Sequence, residues 1–479
     1  MNSLKVTNAV NVHSLSESVK KWRDQLAASS KSDGFNLLVE SYGLEDVLCQ
    51  LAKTDWNPEA RIGELMTHID YFYHKKRDGK PKKTVAAYYK CIAANGGTER
   101  VVAMLCNRWA EMKDSSGEYL YNVVLVTDVG PLPGEYELSK KVQRAYVPDA
   151  YATSIKDNFR DRCQAWAKII KDFDIDIVVD SLWIEPVSYW DMLAIKGQPT
   201  KPAFIVQLHN FCLEPFLNAA DTAISKIYKY MCCDGAVTLS ECDKLFVSSF
   251  NNHVQCIVNP IAFNPRKIPL STYNDRTIVW VGRLDRIINQ PVDAIKMMKV
   301  VVEKIPDAKL IIVGDGDKKL KVQMSELVQT NGLENNVEMV GFAYDVGRYY
   351  GRASVFICTS LCEGFSLTMG EAMAFGLPVL TYDMPWLSLI QDGRGIITVP
   401  QNNYETLAKK VIELLNNKEQ MKKIGLCGKQ HITEVSECNI EKQWRTFFDT
   451  IPGQTSHMHS EQDPVSVVIK YLTLFQHIL

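Results

Sequence analysis

The stretch "SVFICTSLCEGFSLTMGEAMAFGLPVLTYD", residues 354–383, predicts a strand, a loop, a helix and a second strand in succession. Residues 354–360 are mostly apolar and of strand length, and residues 378–383 repeat that character. The helical stretch between them ends at Gly-Leu-Pro, a common stop signal. Strands that are apolar on both faces are typical of parallel sheets covered by helices on both sides. This segment therefore predicts a doubly wound α/β domain.

The same alternation of apolar strands and amphipathic helices extends outward along most of the chain. One series runs from residue 277 to the helix that follows the quoted stretch, and an earlier series starts at residue 84. Between them lies the proline-bearing connector "CIVNPIAFNPRKIPLSTYND", which has little periodicity. We predict two Rossmann-like domains that face a cleft, with a boundary near residue 265.

The two ends of the chain have a different texture. Residues 14–73 read as helices, and "HKKRDGKPKK" at 74–83 reads as a basic hinge. We therefore expect a helical extension, two α/β domains and a C-terminal helix with a tail that packs back on the first domain. The predicted ranges are 1–83, 84–265, 266–438 and 439–479.

Composition limits the classes of function. The chain has 479 residues, with 54 Lys and Arg against 56 Asp and Glu, so its net charge gives no reason to expect a nucleic-acid partner. No apolar run of membrane-spanning length or secretory leader is evident, so we expect a cytoplasmic protein. The thirteen cysteines are scattered through apolar segments, which favours buried, reduced thiols over metal ligands.

Two segments leave membrane contact open. The basic hinge is either a solvated linker or a contact for anionic lipid or an anionic glycan. The apolar stretch 465–479 is too short to span a bilayer and either packs on the protein or lies on a membrane surface. A peripheral location at the inner face of the membrane is therefore an alternative.

The quoted stretch also predicts a ligand site. Ligands of doubly wound sheets bind beyond the carboxyl ends of the strands, where helix N-termini present unpaired N–H groups. The backbone N–H groups of Leu367 and Thr368 would point at an anion, and Glu371, one turn into the helix, would accept hydrogen bonds from a diol such as ribose. Glu363 would face the next group of the ligand. Alternatively, the two glutamates only complement the helix dipole.

Residues after other predicted strands fit the same ligand. Arg283 follows the first strand of the second domain and offers the charge and donor fork that a diphosphate needs. In the first domain, Gly96 and Gly97 allow close backbone approach between a strand and a helix. His209 ends an apolar strand, where it either hydrogen-bonds a ligand hydroxyl or serves a structural role.

Together these elements resemble the retaining nucleotide-sugar glycosyltransferases of the GT-B fold, the group 1 type with two glutamates eight positions apart. The resemblance covers about residues 84–448 and is strongest over 277–383. The motifs that carry it are "GGTER", "QLHN", "VGRL", "IIVGDG", "NVEMVGF" and "EGFSLTMGEAMAFGLPVL", in the family's order along the chain.

The resemblance implies a role for each candidate. The catalytic residues would be Glu363, which holds the donor sugar, Arg283, which binds the donor diphosphate, and His209. Glu371 would hold the ribose. The remaining donor contacts would come from the backbone of Gly364, Phe365, Ser366, Leu367 and Thr368, and from Gly96, Gly97 and Arg286. The leaving diphosphate would itself accept the acceptor proton.

One position departs from the family pattern. The family usually carries a lysine five residues after the arginine, and this chain has Ile288 there. Arg286 is the nearest cation that could replace it. Without a replacement, the loss of one charge-assisted contact would cost about 1.5–3 kcal/mol of leaving-group stabilisation.

The resemblance predicts a retaining, metal-independent hexosyltransferase that moves a sugar from a nucleotide-diphosphate sugar to a glycan, lipid-linked or polymer acceptor in surface polysaccharide biosynthesis. No cofactor is expected. The Asp-x-Asp pairs at 172–176 and 315–317 favour structural roles over metal binding. Two rival readings remain: a non-catalytic glycosyltransferase-like partner or chaperone, and a sugar-nucleotide epimerase on the same fold.

Overall fold

A computed structural model of the chain shows two compact units. It describes residues 17–18, 20–21, 33–54, 56, 63, 66–67, 69–72, 82–93, 96–152, 155–182, 185–218, 220–273, 275–391, 393–451 and 464–476. Unit 1 contains the described residues of 1–238, 242–257 and 441–475. Unit 2 contains those of 239–241, 258–440 and 476. Apart from residues 239–241, the chain enters the second unit at residue 258, and it returns to the first unit at residue 441.

Unit 1 is built on a parallel sheet. Within the described residues it has seven strands in the order β3-β2-β1-β4-β5-β6-β7. Its central strands are mostly apolar and almost entirely buried, which fits a sheet covered on both faces. The strands are β1 Lys83–Tyr88, β2 Tyr121–Thr127, β3 Val142–Tyr146, β4 Ile177–Asp180, β5 Ala203–Gln207, β6 Gly235–Thr238 and β7 Val254–Cys256.

Unit 2 repeats the design with another parallel sheet. The described strands follow the order β10-β9-β8-β11-β12-β13. In both sheets the order reverses beside the first strand, between β1 and β4 and between β8 and β11, and ligands of open α/β sheets bind at such points. The strands are β8 Thr277–Val281, β9 Lys309–Val313, β10 Val337–Gly341, β11 Val355–Cys358, β12 Val379–Tyr382 and β13 Ile396–Val399.

Helices connect the strands and cover the sheets. The described helices are α1 Asp33–Tyr42, α2 Leu44–Thr54, α3 Gly97–Glu111, α4 Ile155–Phe173, α5 Pro186–Lys196, α6 Glu214–Asn218, α7 Ala220–Cys232, α8 Glu241–Ser248, α9 Pro291–Val302, α10 Lys318–Thr330, α11 Gly347–Tyr350, α12 Leu367–Ala374, α13 Tyr404–Leu415, α14 Lys418–Glu437, α15 Ile440–Thr450 and α16 Pro464–Gln476. A short 3₁₀ turn spans Asp70–Phe72. The predicted α/β class is confirmed, and α1 and α2 are helices within the range predicted for the N-terminal extension.

The N-terminal helices pack on the helical layer of unit 1. Arg160 of α4 pairs with Glu45 of α2 at 2.7 Å, and Trp190 of α5 donates to the carbonyl oxygen of Trp56 at 2.9 Å. Most of the basic hinge, residues 74–81, lies outside the described residues.

The chain's last helices contact unit 1 through aromatic rings. The ring centre of Trp444 in α15 lies 4.9 Å from that of Trp109, and the ring centre of Tyr471 in α16 lies 5.2 Å from that of Phe246. In the part of the chain that the structure covers, no helix has the length and apolarity to cross a membrane. Residues 477–479 of the apolar tail lie outside the described residues.

Candidate active site

The loop between β11 and α12 presents a helix N-terminus at the carboxyl end of the unit 2 sheet. Ser366 precedes the helix in the left-handed region, with φ 57° and ψ 80°, and its carbonyl oxygen accepts from the N–H of Gly370 at 3.2 Å. The N–H groups of Leu367 and Thr368 lie in the first turn, where a helix offers no intrahelical acceptor. The Ser366 hydroxyl is buried and has no hydrogen-bond partner among the described residues. A buried donor beside free N–H groups suits an anionic or hydroxylated ligand.

Glu363 lies in the same loop, just before Gly364 and Phe365, and is partly buried. Its carboxylate accepts a hydrogen bond from the Ser360 hydroxyl at 2.8 Å, and its carbonyl oxygen accepts from Nε1 of Trp386 at 3.1 Å. Burial raises the pKa of Glu363 to about 7. The Ser360 hydrogen bond opposes that shift. Near neutral pH the group is therefore divided between its acid and its carboxylate, and its acid form can donate a hydrogen bond.

Arg283 follows β8 and lies within electrostatic range of Glu363. The negative charge of Asp285 raises the pKa of Glu363, and the positive charge of Arg283 lowers it. The Arg283 side chain is 64% exposed, and its Nε lies 3.6 Å from Oδ2 of Asp285. An exposed guanidinium with one loose ion pair can turn toward a diphosphate at little cost.

Asp285 shapes the loop that carries Arg283. Its Oδ1 accepts from the backbone N–H groups of Ile287, Ile288 and Asn289, at 3.2, 2.7 and 3.2 Å. Its Oδ2 is buried and accepts no hydrogen bond from any residue that the structure describes. Ile288, at the family's usual lysine position, therefore takes part in this turn through its N–H.

Hydrogen bonds join this loop to the loop after β11. Leu361 donates its N–H to the carbonyl oxygen of Ile288 at 2.8 Å, and the Thr359 hydroxyl donates to that of Asn289 at 2.7 Å. Nε1 of Trp280 in β8 donates to the same hydroxyl at 2.9 Å. Since β8 and β11 are neighbours in the sheet, the two loops form one joined surface, which brings Arg283 and Glu363 together.

Glu371 is buried inside α12, with 1% of its surface exposed. Tyr350, also fully buried, donates its hydroxyl to Oε2 of Glu371 at 3.2 Å. The structure thus holds this carboxylate on the body of unit 2, one turn beyond the free N–H groups. Simple dipole complementation on a surface helix does not need such burial.

Arg286 lies on the other side of the Arg283 loop, beside the turn at 315–317. The pKa of Asp317 is lowered mainly by a hydrogen bond from the backbone N–H of Leu320, and the positive charge of Arg286 lowers it further. Asp317 caps α10 by accepting the N–H groups of Lys319 and Leu320 at 2.7 and 3.0 Å. Among the described residues, no cluster of three His, Cys, Asp or Glu side chains suits a metal ion.

Close backbone packing explains why positions 314 and 316, at the turn before α10, are glycines. A Cβ on Gly314, where φ is 148°, would lie 1.8 Å from the carbonyl oxygen of Gly282, and one on Gly316 would lie 2.3 Å from that of Leu284. The turn therefore supports the backbone on both sides of Arg283.

Three of the predicted site residues belong to unit 1. Gly96 is the extended residue before α3, and a Cβ there would lie 2.8 Å from Oε2 of Glu99; Gly97 begins the helix. His209 follows β5, and both its ring nitrogens are buried without a hydrogen-bond partner in the part of the chain that the structure describes. Burial lowers the pKa of His209 to about 3, so its imidazole is neutral and keeps one donor and one acceptor for a ligand.

Sequence reasoning missed two residues of this surface, Asp285 and Tyr350. Asp285 stands two positions after Arg283, but an acidic side chain is not a typical phosphate ligand, so the sequence gives no signal for its role. Tyr350 lies in "GRYYGRAS", where no short motif marks a contact with a glutamate 21 positions later. Only the tertiary structure shows that contact.

Comparisons with known proteins show what the chain is similar to. Residues 264–431 match the family model for Glycosyl transferases group 1. An uncharacterized glycosyltransferase of Haemophilus influenzae is 26% identical over 343 residues, which cover 70% of this chain and 92% of that protein.

Two further relatives carry more specific names. The GalNAc-alpha-(1->4)-GalNAc-alpha-(1->3)-diNAcBac-PP-undecaprenol alpha-1,4-N-acetyl-D-galactosaminyltransferase of Campylobacter jejuni is 23% identical over 360 residues, 73% of this chain and 94% of that protein. The solved structure of Anabaena HepE with UDP and glucose superposes with a TM-score of 0.60 at 13% identity, over 76% of this chain and 99% of that one. Residues 264–431 therefore match the group 1 glycosyltransferase family, and the chain has the GT-B fold.

Proposed function

We propose that this glycosyltransferase transfers a hexose, with retention and without a metal, from a nucleotide-diphosphate sugar to a glycan, polymer or lipid-linked acceptor in surface polysaccharide biosynthesis. The observation that carries the proposal is the joined pair of loops after β8 and β11. These loops place the cation of Arg283, the acid of Glu363 and the N-terminus of α12 on one surface. A nucleotide sugar has a diphosphate with a sugar on either side. The cation and the helix N-terminus suit the diphosphate, and the acid suits the sugar hydroxyl groups.

Each group has a defined role in the proposal. Arg283 and the N–H groups of Leu367 and Thr368 bind the diphosphate, and Glu371 accepts hydrogen bonds from the ribose. Glu363, together with the backbone of residues 364–366, holds the donor sugar. Arg286 supplies a second positive charge at the edge of the site.

Gly96, Gly97 and His209 of unit 1 stay predicted ligand residues. The two glycines allow close backbone approach, and the neutral imidazole of His209 can hydrogen-bond a hydroxyl group. In the chemical step the acceptor oxygen forms a bond to the anomeric carbon, and the bond from that carbon to the diphosphate oxygen breaks. The acceptor proton moves to the leaving diphosphate, so the protein stabilises charge and need not supply a base.

Two relatives support the classes of substrate. HepE was solved with UDP and glucose, which fits a nucleotide-diphosphate sugar as donor. The Campylobacter enzyme's name specifies an undecaprenol-linked glycan, which fits a lipid-linked acceptor. An acceptor of that kind lies in a membrane, so the proposal includes peripheral contact at the inner face.

Calorimetric titration of the full chain with UDP, GDP and ADP tests the donor site. We expect at least one nucleotide to bind, and Arg283→Ala to weaken that binding by about tenfold to a hundredfold, the loss of one charge-assisted interaction. Arg266→Ala is the matched control, since Arg266 is 69% exposed and pairs with Glu437 in the same unit. A wild-type chain that binds no nucleotide, or equal affinities for wild type and Arg283→Ala, would refute the proposal.

Retention and metal independence need separate measurements. Proton NMR of the first product formed from an α-linked donor should show an α-anomeric signal, and a β-anomeric signal would show inversion. Transfer should continue at an unchanged rate in excess EDTA. A rate that falls with EDTA and returns with Mg²⁺ would show that a metal takes part.

The replacement of the usual lysine by Ile288 favours one second candidate, a non-catalytic partner of an active glycosyltransferase. That candidate predicts equal, negligible donor hydrolysis by wild type and Glu363→Ala. The transferase predicts measurable hydrolysis or transfer by wild type and a lower rate in the variant.

A further inference from the structure

A cluster of side chains in unit 1 lies where its strand order reverses and has no role in the donor site. The reversal lies between β1 and β4, and residues beyond the carboxyl ends of these strands face the ligand crevice of such a sheet. Tyr89 and Lys90 follow β1, Glu185 follows β4 and precedes α5, and Tyr151 follows β3.

A buried ionic network fixes the turn that carries Tyr151. Arg162 of α4 is fully buried and donates to Oδ1 of Asp128 at 3.0 Å and to the carbonyl oxygen of Pro148. Oδ2 of Asp128 accepts the N–H of Ala150 at 3.1 Å. The buried pair of Arg162 and Asp128 therefore holds both the carbonyl group of Pro148 and the N–H group of Ala150. Burying such a pair stabilises a fold little, but it fixes geometry well.

The Tyr151 ring is exposed at the surface of unit 1. It is 49% exposed, and Nζ of Lys90 lies 5.4 Å from its centre and 5.8 Å from that of Tyr89. The Tyr151 hydroxyl hydrogen-bonds Glu185, which links the turn after β3 to the start of α5. A rigid aromatic face beside a carboxylate and an ammonium group can stack on the C–H face of a pyranose and bind its hydroxyl groups.

The charge around this cluster indicates what kind of sugar fits. Carboxylates outnumber ammonium groups among the residues that act electrostatically on the two tyrosines or on Glu185, so a phosphorylated or acidic ring would be repelled. The carboxylates are Glu99, Asp128, Asp149 and Glu185, of which Asp128 is paired with the buried guanidinium of Arg162, and the ammonium groups are Lys90 and Lys226.

We propose that Tyr151, Lys90 and Glu185 form an acceptor subsite in unit 1 for a neutral pyranose ring. The inference rests on the proposed function, because it supplies the acceptor side of that reaction. Tyr151 provides the stacking face, and Glu185 and Lys90 bind hydroxyl groups at its edge. The Asp128–Arg162 pair positions the ring without touching the sugar.

The test uses neutral methyl hexopyranosides of glucose, galactose and N-acetylgalactosamine, with their 6-phosphates as anionic probes. Binding to the full chain is measured by NMR titration. We expect at least one neutral glycoside to bind better than its 6-phosphate. Tyr151→Ala should weaken that binding about tenfold, and Tyr151→Phe, which keeps the ring, about threefold.

Tyr119→Ala is the matched control. Tyr119 also lies under a lysine, with Nζ of Lys141 4.0 Å from its ring centre, but it precedes β2 at the opposite edge of the sheet. This variant should bind the sugars as the wild type does. Thermal unfolding shows whether each variant is folded.

Nucleotide titration of the same samples separates the two proposals. If nucleotide binds but Tyr151→Ala binds sugar as tightly as wild type, or no neutral glycoside binds, or the 6-phosphates bind better, the acceptor subsite is refuted and the donor site stands. If wild type binds no nucleotide, the proposed function itself fails.

Discussion

Replacement of Glu363 by glutamine tests whether this carboxyl group is retained for function at the expense of stability. The pKa of Glu363 is raised from 4.5 to about 7 in the folded chain, mainly by burial. A raised pKa means that the folded state favours the neutral acid. The group's contribution to stability is therefore fully present below pH 4.5 and is lost as the pH rises through about 7.

The magnitude follows from that interval. At about 1.4 kcal/mol for each pH unit, ionising Glu363 above pH 7 costs the folded state at most about 3 kcal/mol. Glutamine has no charge to desolvate, and its amide oxygen can still accept the Ser360 hydrogen bond. Glu363→Gln should therefore be more stable than wild type at pH 8 and about equal to it at pH 4.5.

Thermal unfolding followed by circular dichroism at pH 4.5, 6, 7 and 8 measures the difference. For a unit of this size, about 3 kcal/mol corresponds to a rise in the unfolding midpoint of about 6–12 °C at pH 8. Glu338→Gln, which removes an exposed carboxyl group in β10, is the control and should show no such trend. A Glu363→Gln variant that is less stable than wild type at pH 8, or whose effect does not change with pH, would refute the assigned electrostatics.

Three further substitutions test the supports of the site. Asp285→Asn removes the negative charge that raises the pKa of Glu363, so the midpoint of the pH-dependent loss of stability should move to lower pH; an unchanged midpoint would show that the two groups do not interact. Tyr350→Phe removes the hydrogen bond to Glu371 and should weaken nucleotide binding about tenfold while the chain stays folded, whereas unchanged affinity would mean that this bond does not position the carboxylate. Gly314→Ala places a methyl group 1.8 Å from a carbonyl oxygen at φ 148° and should destabilise unit 2 by about 3 kcal/mol or more in urea denaturation; a loss below about 1 kcal/mol would show that the turn can move.

The strength of the local pattern decided which parts of the fold the sequence could predict. The central strands, such as β2 and β11, are continuous apolar runs because helices cover both their faces, and this pattern predicted the class correctly. The strands β3, β7 and β13 escaped notice. Each lies at the edge of its sheet and is partly exposed, so its sequence carries polar residues or is very short.

The candidate site, too, could be predicted only in part from the sequence. Arg283, Glu363 and the start of α12 are marked by short motifs next to strands, where a residue's place in the fold follows from its place in the sequence. The contact between Tyr350 and Glu371 and the turn built by Asp285 depend on side-chain geometry. Composition and spacing do not encode that geometry.

In the proposed donor site, the charges predict that donor binding depends on the protonation of Glu363. In the free chain, Arg283 is opposed by Asp285 and by the ionised fraction of Glu363, so the joined loops carry no excess positive charge. The usual lysine is absent, and Arg286 lies beside Asp317. A diphosphate that enters this surface adds negative charge near Glu363 and favours its neutral form further. The acid then no longer repels the diphosphate and can donate a hydrogen bond to the donor, so a raised pKa partly offsets the missing cation.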